Sequence, residues 1–349
     1  MHGFEFKKNN FDLIRLVAAL QVAIFHGNVH FGLGGGDTLM RVLSIFPGVP
    51  IFFIVSGYLV SASYERKISV RDYFVNRILR IYPALWVCFL VSLLSIFAIY
   101  PVRAGFGEFF LWGLAQISIG QFYNPDFLRG YGVGVLNGSL WTIPVELQFY
   151  LILPVIYAIL KRLSRRPFSA CLAVLFLVFI NQVYVAAKAS HDDIYVKLFG
   201  VTIAPYIYMF LFGVILQRNR SFVRKFLANK AAFWLAVYVS LAALFSSFGL
   251  SFGGNNLNPV SAFFLAIFVI SFAYSYVDLL RGFSGGVDVS YGIYIYHMIV
   301  VNCLIRQAWF SPFSNFLLMF LITLILACLS WFFVEKPSLG LKRYSIKRS

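Results

Sequence analysis

Apolar runs of about twenty residues recur along the chain, separated by short polar stretches. A helix rises about 1.5 Å per residue, so each run is long enough to cross the hydrocarbon of a bilayer. The pattern predicts spanning helices near residues 11–31, 45–64, 81–100, 143–160, 169–187, 197–217, 231–250, 259–278, 289–308 and 314–335. The predicted fold class is therefore an all-α integral membrane protein, a bundle of about ten transmembrane helices. One apolar stretch, Phe106 to Ile119, is too short for this. The charge pattern on either side requires an even number of crossings, so segment 101–142 reads as a re-entrant or interfacial piece on the extracytoplasmic side.

Composition agrees with this reading. Hydrophobic residues make up 60% and charged residues only 12%, against about 25% charged in soluble domains. The first apolar run is too long for a signal h-region and ends in no small-residue cleavage site. No fused soluble domain, low-complexity linker or internal repeat is visible, so residues 1–349 are predicted to form one transmembrane domain.

The net charge of +16 raises nucleic acid as a partner, but its distribution argues against it. Basic residues collect in alternate short loops: Lys7 and Lys8; Arg66, Lys67, Arg71, Arg77 and Arg80; Lys161, Arg162, Arg165 and Arg166; Arg218, Arg220, Arg224 and Lys225; and Lys342, Arg343, Lys347 and Arg348. The intervening loops are short, Gly/Asn-rich or mixed in sign. The positive-inside rule places the basic set and both termini in the cytoplasm, against anionic lipid headgroups. The location is then a cell inner or plasma membrane, crossed many times. Cys88, Cys171, Cys303 and Cys328 lie inside apolar segments without paired spacing, as packing residues do.

Ionisable groups inside the apolar runs are the candidates for chemistry, because each is costly unless it faces a cavity or a partner. Arg15 and His26 are eleven residues apart, almost three whole turns, so they share one helix face roughly 16 Å apart along the axis. A His that titrates near neutrality suits general-base work on a hydroxyl; a carbonyl-bonded structural His is the alternative. His30, four residues on, shares the face, but only Asp37 follows as a third ligand, and no metal is expected. In the second run, Ser56-Gly57 allows close backbone approach by a neighbouring helix or by a ligand. Arg77 and Arg80 share a face if their helix begins early, as topology determinants or as a phosphate site.

Glu146 and Tyr150 lie one turn apart; Glu146 could orient His26, bind a sugar hydroxyl, or bond another helix. His297 sits one turn beyond Tyr294 and near Tyr291, as a second base, a ligand contact or a core His. Trp112, Tyr123, Tyr131 and Trp141 fit an aromatic belt and could also stack on sugars. WFFVEKP is predicted to end the last helix with Pro337 as its stop.

In this order, Arg15 and His26 at arginine–ten-residue–histidine spacing, FFIVSGYL, RILRIYP, SLWTIPVELQFYLILP, SYGIYIYH and FFVEKP resemble the acyltransferase-3 family of integral membrane O-acyltransferases. The resemblance covers essentially the whole chain. It implies ten helices with cytoplasmic termini and transfer of an acyl group, usually acetyl from acetyl-CoA, to a hydroxyl of an extracytoplasmic glycan. The acceptors it suggests are O-antigen, exopolysaccharide or lipid-linked oligosaccharide. Acyl-CoA would be a donor substrate, with no permanently bound cofactor. The partners expected are membrane lipids, the donor and the glycan.

On this reading His26 and Glu146 are catalytic, and Arg15, Arg77, Arg80, Ser56 and Gly57 bind the donor. Trp141, Tyr150, Tyr291 and His297 support the site or contact substrate. Some members carry an extra SGNH-type hydrolase-like domain, which this sequence lacks. A transporter or flippase could use the same intramembrane Arg, His and Glu for proton or substrate coupling. A scaffold in a polysaccharide assembly complex is the third class.

Overall fold

A computed structural model describes residues 6, 8–34, 37–66, 69–163, 167–190, 193–248, 252–280, 286–307 and 310–341, without the side chains of 37, 160, 161, 163 and 167–175. Lys7, Lys67, Arg165, Arg166, Lys342, Arg343, Lys347 and Arg348 of the basic loops lie outside it, as do the side chains of Asp37, Lys161 and Cys171. All regular structure among the described residues is helical: α1 (Phe11–Phe31), α2 (Asp37–Ile45), α3 (Gly48–Glu65), α4 (Val70–Ile99), α5 (Phe106–Ile117), α6 (Thr142–Leu163), α7 (Pro167–Ser190), α8 (Ile194–Phe199), α9 (Ile207–Arg218), α10 (Arg220–Phe222), α11 (Ala231–Ser247), α12 (Pro259–Ala273), α13 (Val277–Leu280), α14 (Ser290–Gln307), α15 (Pro312–Ser330) and α16 (Lys336–Gly340). Among the described residues, five stretches are long and apolar enough to cross a membrane: Phe11–Phe31, Thr38–Glu65, Val70–Ile99, Thr142–Ile159 and Pro312–Gly340. A sixth is added if Arg220–Leu227 and Ala231–Ser247, bent by 86°, count as one span.

The helices begin where local chemistry says they should. Ser69 Oγ accepts from Asp72 N at 3.1 Å and starts α4, eleven residues before the predicted 81–100. Asn258 and Ser311 cap α12 and α15, each ahead of a proline at the first turn, which needs no N–H there.

Two further expectations change. The run 197–217 is broken into α8 and α9 around Gly200 and Pro205. Polar side chains complete the backbone of the break: Gln148 Nε2 donates to Val201 O at 3.0 Å, Ile203 N donates to Gln148 Oε1 at 2.9 Å, and Asn181 Nδ2 donates to Pro205 O at 3.1 Å. Non-helical backbone at membrane depth persists only where protein satisfies it in this way. The last helix also does not stop at Pro337. It widens into a π turn over Trp331–Glu335 and continues as α16, where proline sits at an N-terminal position that tolerates it.

The chain forms two compact units. The first comprises Met1–Ala18, Arg41–Lys67 and Val145–Gly286. Its centre is the crossing of α3 and α9. A Cβ on Gly57 would lie 2.1 Å from Phe210 O, and one on Gly213 would lie 2.2 Å from Ile54 O. Two helix backbones meet here because neither carries a side chain at the contact. Phe149 of α6 stacks on Phe210 with ring centres 4.2 Å apart. Farther along α3, Ser61 Oγ donates to Gln217 Oε1 at 2.8 Å and Gln217 Nε2 donates to Glu65 Oε2 at 2.8 Å. Tyr157 OH donates to Glu65 Oε1 at 3.0 Å, and Arg218 Nε lies 3.9 Å from the same oxygen.

The second unit comprises Ala19–Met40, Ile68–Pro144 and Val287–Ser349. Its axis is α14, buried at nearly every position from Ser290 to Leu304 and packed by α4 and α15. That enclosure lets a helix hold Tyr294, His297 and Asn302 inside an apolar fold.

Segment 101–142 belongs to this unit. The twelve residues of α5 reach only about 18 Å, short of a full crossing. Trp112 packs with Ile96, Phe127, Leu128, Tyr131 and Leu136. The following loop is stitched to α14: Asn302 Nδ2 donates to Val135 O (2.9 Å) and Leu136 O (2.8 Å), and Val133 N donates to Asn302 Oδ1 (2.9 Å). Gly132, at φ +52, lets the chain pass Asn302. Asn302→Leu keeps the volume but leaves these buried backbone groups without a partner, at about 1–3 kcal/mol each. The expected result is a lower unfolding midpoint of the purified protein by several degrees. An unchanged midpoint would show that the loop does not depend on Asn302.

Candidate functional site

The polar candidates fall into a group in each unit. In the second, α1 supplies His26 and α14 supplies His297. His26 Nδ1 lies 2.9 Å from His297 Nε2. The His297 ring is fully buried, and its Nδ1 lies 3.1 Å from Ile293 O, one turn back on the same helix. His26 is half-buried, with the His30 ring centre 5.9 Å away on the next turn of α1. The backbone around His297 is fixed from the loop before α6. Asn137 Nδ2 donates to Ile295 O (2.7 Å), and Ser139 Oγ donates to Tyr294 O (3.2 Å). Thr142 Oγ1 meets Tyr294 OH at 2.8 Å. Trp141 lies half-buried in the turn that leads into α6.

Arg77 and Arg80 both lie on α4, which does begin early. Arg80 pairs with Asp288 at 2.5 Å, and Ser290 Oγ donates to the other oxygen of that carboxylate. Asp288 is buried, just before α14. Tyr291 OH donates to Ile81 O at 3.2 Å, joining the start of α14 to the residue after Arg80. Arg77 lies against the Tyr73 ring, 5.9 Å from its centre.

In the first unit, Ser56 of α3 donates to Glu146 Oε1 at 3.0 Å, and Tyr150 OH donates to the same oxygen. The carboxylate is thus held between α3 and α6, one helical step from Gly57, whose bare backbone packs on α9. Arg15 pairs with Asp12 at 2.5 Å in the first turns of α1. Among the described residues, no three His, Cys, Asp or Glu converge as metal ligands. Cys88, Cys303 and Cys328 are free thiols, and Cys88 Sγ donates to Ile295 O at 3.3 Å.

The structure therefore brings together His26 with His297, and Ser56 with Glu146 and Tyr150. It also adds groups that sequence reasoning missed. Asp288 could have been found as Asp-Val-Ser immediately before an apolar helix, an N-terminal capping pattern. Asn137 and Asn302 carried no sequence signal, because their partners are backbone groups distant in the chain.

An acyltransferase-domain family, acyltransferase-3, matches residues 8–334. The nodulation protein 10 of Rhizobium leguminosarum bv. viciae is 33% identical, over 98% of this chain and 96% of that protein. The O-acetyl transferase of Shigella phage Sf6 is 28% identical, over 95% and 96% respectively. The O-acetyltransferase OatA of Staphylococcus aureus (strain NCTC 8325 / PS 47) is 24% identical over 93% of this chain but only 56% of its own length. No solved structure gives a significant match. With the family's pattern running from before α1 to the π turn after α15, this multi-pass helical chain belongs to the acyltransferase-3 family.

Proposed function

We propose that the protein moves an acetyl group from cytoplasmic acetyl-CoA to a hydroxyl of an extracytoplasmic glycan. The acceptor class is O-antigen, exopolysaccharide or lipid-linked oligosaccharide. The observation that carries this reading is an imidazole, His26, held by His297 inside a membrane-length helix of a chain that matches O-acetyltransferases almost end to end. The alternating basic loops support ten crossings with both termini in the cytoplasm. The arginines Arg15, Arg77 and Arg80 then share the side of the donor.

CoA carries several phosphate charges, which guanidinium groups recognise by charge-assisted hydrogen bonds. Arg80, one of whose nitrogens is engaged by Asp288, is oriented for such a contact rather than left as a swinging chain. The pantetheine arm is a narrow, extended chain that can bring the thioester along a helix bundle. His26 takes the proton of the acceptor hydroxyl as its oxygen attacks the thioester carbonyl. The C–O ester bond forms, the C–S bond breaks, and the departing thiolate takes the proton back from His26 to leave as the CoA thiol. Glu146, fixed by Ser56 and Tyr150, is assigned to binding an acceptor hydroxyl.

The test is CoA release by purified protein in lipid vesicles given acetyl-CoA with and without the glycan. Glycan-dependent thiol release with matching ester on the glycan is expected. Passage of glycan across the vesicle wall without thiol release would replace this reading with a transporter.

A further inference from the structure

The two histidines of the second unit have assignable protons. Ile293 O can only accept a hydrogen bond, so the His297 Nδ1 beside it at 3.1 Å carries a hydrogen. A neutral imidazole has one N–H, which leaves His297 Nε2 as an acceptor. That nitrogen faces His26 Nδ1 at 2.9 Å, so His26 Nδ1 donates. By the same count, His26 Nε2 holds the lone pair, and among the described residues nothing donates to it.

The ring geometry supports a hydrogen bond rather than stacking. The planes differ by 15° and the ring centres are 5.2 Å apart. The distance beyond the 2.9 Å contact is taken up by the two ring radii, so the nitrogens point at each other nearly along the line of centres. Among the described residues, the only other imidazole near the pair is His30, with its ring centre 5.9 Å from that of His26.

We propose that His297 is the positioning residue of this dyad. It locks His26 in the Nδ1–H tautomer, and so presents Nε2 as the basic nitrogen of that ring. A free imidazole in water favours the opposite tautomer, in which Nε2 carries the hydrogen and is useless as a base. His297 can impose the rarer form because it is itself immobile. Its ring is enclosed, its Nδ1–H is tied to its own helix, and the carbonyls of Tyr294 and Ile295 in the turn before it are held by Ser139 and Asn137. When Nε2 gains a proton, the lone pair on His297 Nε2 stabilises the resulting imidazolium through Nδ1–H. The consequence for rate rests on the acyl-transfer reading, whereas the tautomer is a property of the protein by itself.

The test is nitrogen-15 NMR of histidine-labelled protein in lipid bilayers, with His26→Gln to assign the His26 signals. Wild type is expected to show His26 protonated at Nδ1 and bare at Nε2. His297→Leu removes the acceptor and should convert His26 to a tautomer mixture. His297→Gln, whose carbonyl accepts from Nδ1–H, should hold the original form. In the thiol-release assay, His297→Leu should lower kcat roughly 10- to 100-fold, the size seen when a group orienting a functional His is lost. KM for acetyl-CoA should stay unchanged, and His297→Gln should regain much of the rate.

A wild-type His26 carrying its hydrogen on Nε2 would overturn the proposal whether or not the His297 variants fold. So would a His297→Leu spectrum with the tautomer unchanged. The expected spectra from a protein that releases no CoA would leave the dyad standing and remove only the acyl-transfer reading.

Discussion

His26→Gln is expected to cut ester formation about 1000-fold while folded protein stays at the wild-type level, within the range by which a positioned general base accelerates proton transfer. The substitution is chosen for what it keeps. A glutamine amide is close to imidazole in length, and its NH2 can still donate to His297 Nε2, which now sits 2.9 Å from His26 Nδ1. The buried ring of His297 therefore keeps a partner. What disappears is the basic lone pair. His30→Gln, one turn away on the same face, is the matched control and should change the rate by less than about threefold, because His30 has no role in the proposed proton path. Rates would be read as O-acetyl ester on the glycan per folded protein. A His26→Gln protein that retains more than about a tenth of wild-type activity would rule out proton abstraction at this position.

The parts of this protein legible in its sequence are those where one property repeats or stands out locally. Apolar run length gave the all-helical class but not the individual spans, and Ser69, Asn258 and Ser311 mark helix starts in a way that capping chemistry can read. His26 and Arg15 stood out because ionisable groups are conspicuous in apolar runs. The early start of α4, which puts Arg77 and Arg80 on one helix, is visible only once Ser69 is recognised as a cap. The break at 200–206 was less legible, since hydropathy is continuous through it. The cost of non-helical backbone there is met by Gln148 and Asn181, some distance away in the chain. The same holds for the site. His26 could be picked out alone, but its partner could not, because 271 positions separate it from His297. Glu146 showed as an acid near Tyr150, whereas its bond to Ser56 depends on how α3 and α6 pack. Spacing reveals a residue's helix face, and only the fold reveals what that face meets.

Gly57→Val is expected to remove most folded protein, a larger effect on stability than any polar substitution considered above. The Cβ of residue 57 would stand 2.1 Å from Phe210 O, where ordinary carbon–oxygen contacts are about 3.3 Å or more. The obstacle is backbone, so no rotamer change relieves it, and α3 must move from α9 by about 1 Å. Movement is resisted along the whole crossing. A Cβ on Gly213 would stand 2.2 Å from Ile54 O on the opposite side, so the backbones are equally close there and sliding one contact open tightens or strips the other. Separation also pulls on the Ser61–Gln217 bond and disturbs the Phe149–Phe210 stack, both of which require the present spacing. Overpacking of this kind costs about 1–3 kcal/mol when side chains can yield, and more when they cannot. The measurement is the monodisperse fraction of a fluorescent fusion after extraction in mild detergent, with Gly57→Ala as the graded variant. Both should lose folded protein, Val more than Ala, with specific activity of the surviving Ala fraction falling much less than its yield. A Gly57→Ala protein that extracts normally but transfers no acyl group would instead assign this backbone to the substrate, because a bound acyl chain rather than α9 would then be what the missing side chain makes room for.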